Sequence, residues 1–172
     1  MEYNKKFARE SRVIKSEILL PDDTNMLNTL MGGRLMHWMD ILGAIAAQKH
    51  SNSLVVTASV DNISFQHPIH LGQVVTLLAQ VTRAFNTSME VYIKVWAEDI
   101  PKNIKFESNS AFFTYVAIDH NFKPVKVPEL VAESEEEIEL FEGAGRRREL
   151  RLILAGRLKP GEAKDLKSIL NL

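Results

Sequence analysis

From Gln73 to Ala97 the sequence alternates. Val74, Thr76, Leu78, Gln80 and Thr82 share one side of a two-residue period, and Val75, Leu77, Ala79, Val81 and Arg83 share the other. After a turn at Asn86-Thr87, Met89, Val91, Ile93 and Val95 alternate with Glu90, Tyr92, Lys94 and Trp96. Successive residues of a strand point to opposite faces, so two long alternating runs joined by a tight turn predict an antiparallel hairpin with one face to bury. The run from Gly33 to His50 supplies the cover. There Leu35, Met36, Met39, Leu42, Gly43 and Ala46 recur at spacings of three and four, one face of a helix.

Further strands flank this pair. Arg12 to Leu20 reads as a strand ended by Pro21, and Leu54 to Phe65 as a long run rich in β-branched residues. Asn109 to Ile118, with Ala111-Phe-Phe-Thr-Tyr-Val-Ala117, reads as the last strand. Glu98 to Ser108 is polar, contains Pro101 and reads as a long hairpin connection. The expected fold class is α+β, a long central helix packed on a five-stranded antiparallel sheet. A helix of about 18 residues spans roughly 27 Å and covers only one face of such a sheet. A second copy of the chain is expected against the rest.

The stretch that carries chemistry precedes and enters the helix. Pro21, Asp22, Asp23, Thr24 and Asn25 are turn formers. Gly32-Gly33 lets another backbone or a ligand approach the free N–H groups of a helix start, which suit a developing negative charge. Asp40 lies on the apolar face between Met36 and Gly43, where a carboxylate is costly unless paired or used. A polar loop, a glycine pair and an acid suggest acyl transfer or hydrolysis.

Several classes are excluded or disfavoured. The chain of 172 residues has no cysteine, so disulfides, cysteine nucleophiles and thiolate metal sites are ruled out. The five histidines show no metal spacing; His67 and His70 flank Pro68, which excludes a helical pair. No metal and no redox cofactor is expected. A net charge of −1 argues against general nucleic-acid binding. No run approaches a membrane span, and Met1-Glu-Tyr-Asn-Lys-Lys6 starts no signal peptide, so a cytoplasmic protein away from the membrane is expected. Residues 129–172 change character: Ser134 followed by Glu135-Glu-Glu137 fits a helix N-cap with acids in the first turn, and Arg146, Arg147 and Arg148 form a basic cluster. Gly161 to Leu172 reads as a short terminal helix. The expected division is residues 1–128 as one domain and 129–172 as a charged, largely helical tail.

From Val13 to Phe141 the sequence resembles the bacterial acyl-CoA thioesterases (acyl-CoA hydrolases) of the hot-dog fold. The resemblance rests on Pro21-Asp-Asp-Thr-Asn25, Gly32-Gly33, Met39-Asp40, Val56-Thr-Ala-Ser-Val-Asp61, Phe65, Pro68 with Gly72, Thr87-Ser-Met-Glu-Val91 and Phe113-Thr-Tyr-Val-Ala117, in that order. It implies hydrolysis of acyl-CoA to a free acid and coenzyme A, which is part of substrate and product rather than a separate cofactor. Asp40 would act as general base or as nucleophile, Gly32 and Gly33 would bind the oxyanion, and Asn25 would come from a neighbouring subunit. The coenzyme A nucleotide would lie near Thr87 and Ser88, with Arg83, Arg146, Arg147 and Arg148 as further contacts. The implied assembly is a homo-oligomer with a dimer as its minimal unit and a trimer of dimers beyond it. The sequence departs from the family pattern at Asn28, commonly glycine, where asparagine tolerates a positive φ, and at Met31, commonly aromatic or histidine. An alternative with the same fold is a non-catalytic acyl-CoA sensor. A hydratase is disfavoured because no histidine follows Asn25 within the loop.

Overall fold

A long helix lies on the inner face of a five-stranded antiparallel sheet in the computed structural model, which describes residues 5–61, 63, 65 and 67–166. The elements in chain order are β1 (Lys6–Phe7), β2 (Val13–Ile18), α1 (Gly32–Ser51), β3 (Leu54–Val60), β4 (Val74–Ala84), β5 (Ser88–Asp99), β6 (Ile104–Ile118), β7 (Leu130–Val131) and α2 (Glu135–Leu154). The main sheet runs β2-β4-β5-β6-β3, all neighbours antiparallel, while β1 and β7 form a separate parallel pair of two residues each. The chain divides into two compact units, Met1–Val131 and Ala132–Leu172.

The alternation read from the sequence marks the core. Val75, Leu77, Ala79 and Val81 of β4 and Met89, Val91, Ile93, Val95 and Ala97 of β5 are wholly buried. Against them α1 packs Leu35, Trp38, Met39, Leu42, Ala46 and Ala47. Met36, expected in this stripe, is instead 37% exposed, and Trp38 takes its place. The stripe is centred further around the helix than the three-four spacing alone indicated. Asn52 ends α1 with φ +53, the left-handed conformation that asparagine tolerates.

The polar connection expected from Glu98 to Ser108 is mostly strand. β5 continues to Asp99, Pro101 sits in a single 3-10 turn, and β6 begins at Ile104. Glu98 faces Lys105 across this pair, and Lys94 meets Glu107 at 3.0 Å. These residues lie on the exposed end of the hairpin, where charge pairing replaces apolar alternation. The pairing also slips between Val95 and Trp96, with Ser108 as the extra residue of a bulge, which breaks the two-residue rhythm. The run read as Leu54 to Phe65 ends as strand at Val60; positions 62 and 64 lie outside the described residues.

In the second unit α2 starts as its sequence indicates. Ser134 Oγ accepts the Glu137 N–H at 3.2 Å, and the Glu137 carboxylate accepts the N–H groups of Glu133 and Ser134, a reciprocal cap. Glu149 further along accepts the Lys164 and Leu166 N–H groups at 2.9 Å each, and residues 167–172, the end of the expected Gly161 to Leu172 helix, lie outside the described residues. No helix among the described residues is long and apolar enough to cross a membrane.

Candidate active site

Two polar centres form on or beside α1, and they are separate. The first is the loop before the helix. Asn25 Oδ1 accepts the N–H groups of Leu27 and Thr29 at 2.9 and 3.2 Å, and its Nδ2 donates to Thr29 Oγ1 at 2.9 Å. This side chain closes a tight loop whose main chain is pinned from Asn28 O to Leu71 N–H and from Leu30 N–H to Ile69 O. Asn28 has φ +56, the conformation for which glycine is usual, so the asparagine there preserves the loop. Asn25, Thr29, Leu30, Gly32, Leu35 and Phe65 line a cavity of about 310 Å³ floored by Ser108 and Asn109 of the β6 bulge. Gly32 lets the Phe65 ring rest on the helix start, because a Cβ there would stand 3.2 Å from Phe65 Cζ. Met31, the N-cap, offers no side-chain oxygen to the first turn, so no side chain caps the helix N–H groups. Gly33 is exposed, with nothing within 4 Å of where a Cβ would stand.

The second centre is Asp40. It is half-buried at the edge of the apolar stripe and turned toward β3 and β6 rather than into the core. Thr57 Oγ1 donates to Asp40 Oδ1 at 2.6 Å, a short, charge-assisted hydrogen bond. The Tyr115 hydroxyl donates to the Asp40 main-chain carbonyl at 2.9 Å and lies 3.4 Å from Oδ1. Thr57 and Tyr115 are direct cross-strand partners, so one rung of the β3–β6 ladder holds one helical residue. Burial, then the Asp40 charge, push the Tyr115 hydroxyl well above its ordinary pKa, which keeps it a proton donor. Among the described residues every hydrogen bond to the carboxylate falls on Oδ1, and Oδ2 is left open.

The expected residues therefore do not all meet within one chain. Asn25 and Gly32 share a cavity, but Asp40 lies eight residues along α1 from Gly32, about 12 Å at 1.5 Å per residue. Thr87 lies in the β4–β5 turn and Ser88 opens β5, where its carbonyl accepts the Phe85 N–H. Arg83 sits on β4 opposite Glu90, its guanidinium 5.7 Å from the Phe85 ring centroid. Arg146, Arg147 and Arg148 belong to α2 in the second unit, where Arg147 donates to Leu140 O at 2.6 Å. Thr57 and Tyr115 had no role in the sequence reading. Both stood in strings that carry the family resemblance, but only the register shows that they converge on Asp40. Among the described residues no group of three or more histidine, aspartate or glutamate side chains gathers as a metal site would.

Comparison with known proteins gives this arrangement a context. Residues 27–104 match the thioesterase superfamily. The chain is 42% identical over 142 residues to the uncharacterised acyl-CoA thioester hydrolase YkhA of Bacillus subtilis, an overlap covering 83% of each chain. It is 34% identical to the acyl-CoA hydrolase of Staphylococcus aureus solved with butyryl coenzyme A, coenzyme A and coenzyme A disulfide, with a TM-score of 0.83 over 90% of this chain and 96% of that one. A hexameric acyl-CoA thioesterase superposes with a TM-score of 0.86 at 37% identity, covering 88% of this chain and 97% of that one. Three further structures of the Staphylococcus enzyme carry alanine in place of one aspartate, one threonine and one asparagine, with TM-scores of 0.82, 0.82 and 0.84.

Proposed function

The chain belongs to the thioesterase superfamily, among its hot-dog-fold acyl-CoA hydrolases, and from that premise we propose that it hydrolyses acyl-CoA to a free carboxylic acid and coenzyme A at a site built from two subunits. The observation that carries the catalytic assignment is the Thr57–Asp40 hydrogen bond at 2.6 Å, with Oδ2 left open among the described residues. A carboxylate held by one oxygen and open at the other can take a proton from water as it attacks the thioester carbonyl. The tetrahedral oxyanion then collapses, the C–S bond breaks and the proton returns to the departing sulfur. The same Oδ2 would serve as a nucleophile through a mixed anhydride. Single-turnover hydrolysis in ¹⁸O-water separates the two: the base route puts the label directly in the product acid, whereas attack on the anhydride at the Asp40 carbonyl leaves it in the protein.

The residues altered in the Staphylococcus enzyme agree with this reading. Its asparagine, aspartate and threonine follow one another at intervals of fifteen and seventeen residues, as Asn25, Asp40 and Thr57 do here. The separation within one protomer supports a shared site. A carbonyl bound at Asn25 and the Gly32-Gly33 helix start lies too far from Asp40 of the same chain for direct attack. The exposed side of α1 carries Met36, Ile41 and Ile45, and β3 is an edge strand with Leu54, Val56 and Val60 exposed. An unpaired strand edge beside apolar side chains suits a two-fold partner. Hexameric relatives support a trimer of such dimers. Thr87, Ser88 and Arg83, with the arginines of α2, are proposed contacts for the nucleotide and phosphates of coenzyme A.

Complementation tests the shared site. Asp40→Asn and Asn25→Ala proteins are each expected to be weak. When they are refolded together, about half the dimers are mixed, and one site of each mixed dimer carries neither lesion, so roughly a quarter of all sites recover. Activity near that fraction supports the trans arrangement. Flat activity, with mixed dimers verified by native mass spectrometry, rules it out.

A further inference from the structure

We propose that Tyr115 is a positioning residue for Asp40, acting through the third turn of α1 without touching substrate. The inference rests on the reading that Asp40 carries out the hydrolysis. Tyr115 is wholly buried, and its ring lies nearly parallel to that of Phe113, with centroids 6.2 Å apart and planes 12° apart. A buried phenol needs a hydrogen-bond partner, and this one takes the carbonyl of the residue that carries the carboxylate. The same oxygen stands 3.4 Å from Oδ1, which Thr57 approaches at 2.6 Å. The cross-strand pair Thr57–Tyr115 thus grips Asp40 at its main chain and at one carboxylate oxygen together. That fixes the direction in which Oδ2 points.

Gly43 makes this reach possible. A Cβ at that position would overlap the Tyr115 hydroxyl and stand 3.0 Å from both Tyr115 Cε2 and Ile93 Cδ1. Glycine inside a helix is unfavourable relative to alanine, so a glycine one turn after the acid calls for a packing reason. Here the missing side chain opens a notch through which the hydroxyl reaches the helix backbone. The Asp40 carbonyl lies within α1, so the phenol supplements the helix's own hydrogen bonding. Stability alone does not require the phenol oxygen at this spot. Placement of the carboxylate does.

Tyr115→Phe keeps the ring and removes the oxygen. We expect kcat to fall about tenfold or more, since small misplacements of reacting groups carry penalties of that order, with KM changed less than about twofold. In an Asp40→Asn background, where no carboxylate remains to be aimed, the same substitution should cost less than about twofold. A second readout stands independently of activity in the Phe variant. Protein labelled with 3-fluorotyrosine has three tyrosine positions, and Asp40→Asn should shift the resonance of Tyr115, assigned by its loss in Tyr115→Phe. Wild-type kcat in Tyr115→Phe, an equal loss in both backgrounds, or three unmoved fluorine resonances would each overturn the proposal. Should Asp40→Asn itself retain full turnover, the hydrolytic role of Asp40 falls, and this inference with it. An inactive Asp40→Asn beside a fully active Tyr115→Phe sinks the positioning role alone.

Discussion

Asn25 is held by residues two to four positions away, whereas Asp40 is held by residues 17 and 75 positions away. The loop closes on itself, with an exposed asparagine satisfying its own backbone neighbours and Asn28 supplying the left-handed turn. Asp40 is fixed only when β3 has paired with β6 and α1 has docked across both. A loop whose tip carries its own side-chain hydrogen bonds, on a main chain anchored to Ile69 and Leu71, can be presented to a neighbouring subunit as a finished unit. A carboxylate that must keep one oxygen open needs a rigid support, because its orientation has no local restraint.

The largest expected effect breaks the long-range centre. Asp40→Asn is nearly isosteric, so the melting temperature should hold while turnover falls at least about a hundredfold, the scale for losing a general base. Thr57→Val removes the 2.6 Å donor and leaves the acid; about tenfold is expected in kcat, in keeping with the loss of a charge-assisted hydrogen bond at an exposed strand. Steady-state thiol release on an acyl-CoA panel measures both. If Thr57→Val costs as much as Asp40→Asn, the threonine does more than hold the carboxylate.

The local centre should respond differently. Asn28→Gly suits φ +56 and should leave activity within about twofold, while Asn28→Val puts a β-branched residue in a conformation that costs roughly 1–3 kcal/mol. The valine protein should lose activity mainly through the loop, with proteolytic nicking near residues 25–30 as the structural readout. Equal behaviour of the glycine and valine proteins would mean that the loop does not depend on its left-handed residue.

The smallest effect concerns a polar residue of α1 that no centre uses. His50 is buried, with its Nε2 at 3.0 Å from the Pro128 carbonyl and, among the described residues, no hydrogen-bond partner for Nδ1. Burial, with a lesser contribution from Lys6, holds its pKa below 6.5, against the opposing pull of the Pro128 hydrogen bond and then of Glu10. As pH falls through about 6.5 the unfolded chain takes up the proton first, so stability is lost from there down to the folded-state pKa. The slope is at most about 1.4 kcal/mol per pH unit for one proton. Urea midpoints between pH 8 and 5.5 should fall for the wild type and lose that component in His50→Gln. Identical slopes would place the acid sensitivity elsewhere.

Periodicity made most of the fold legible. β4 and β5 alternate over their full covered length, α1 follows a three-four stripe, and Ser134 with its acids announces α2, because burial on one face imposes a repeat that survives in the residues themselves. It was silent where the covering ended: Lys105 and Glu107 at the exposed end of β6, and the bulge at Ser108, pair through backbone and charge. The site divided along the same line. Asn25, Asn28 and the Gly32-Gly33 helix start can be read from sequence, since their side-chain bonds and φ angles are local, although Ile69 and Leu71 anchor the loop's main chain from afar. The convergence of Thr57, Tyr115 and Gly43 on Asp40 was decided by strand register and helix docking alone. Contacts across 17 and 75 residues leave no periodic trace, because any register that buried the same faces would satisfy the pattern equally well.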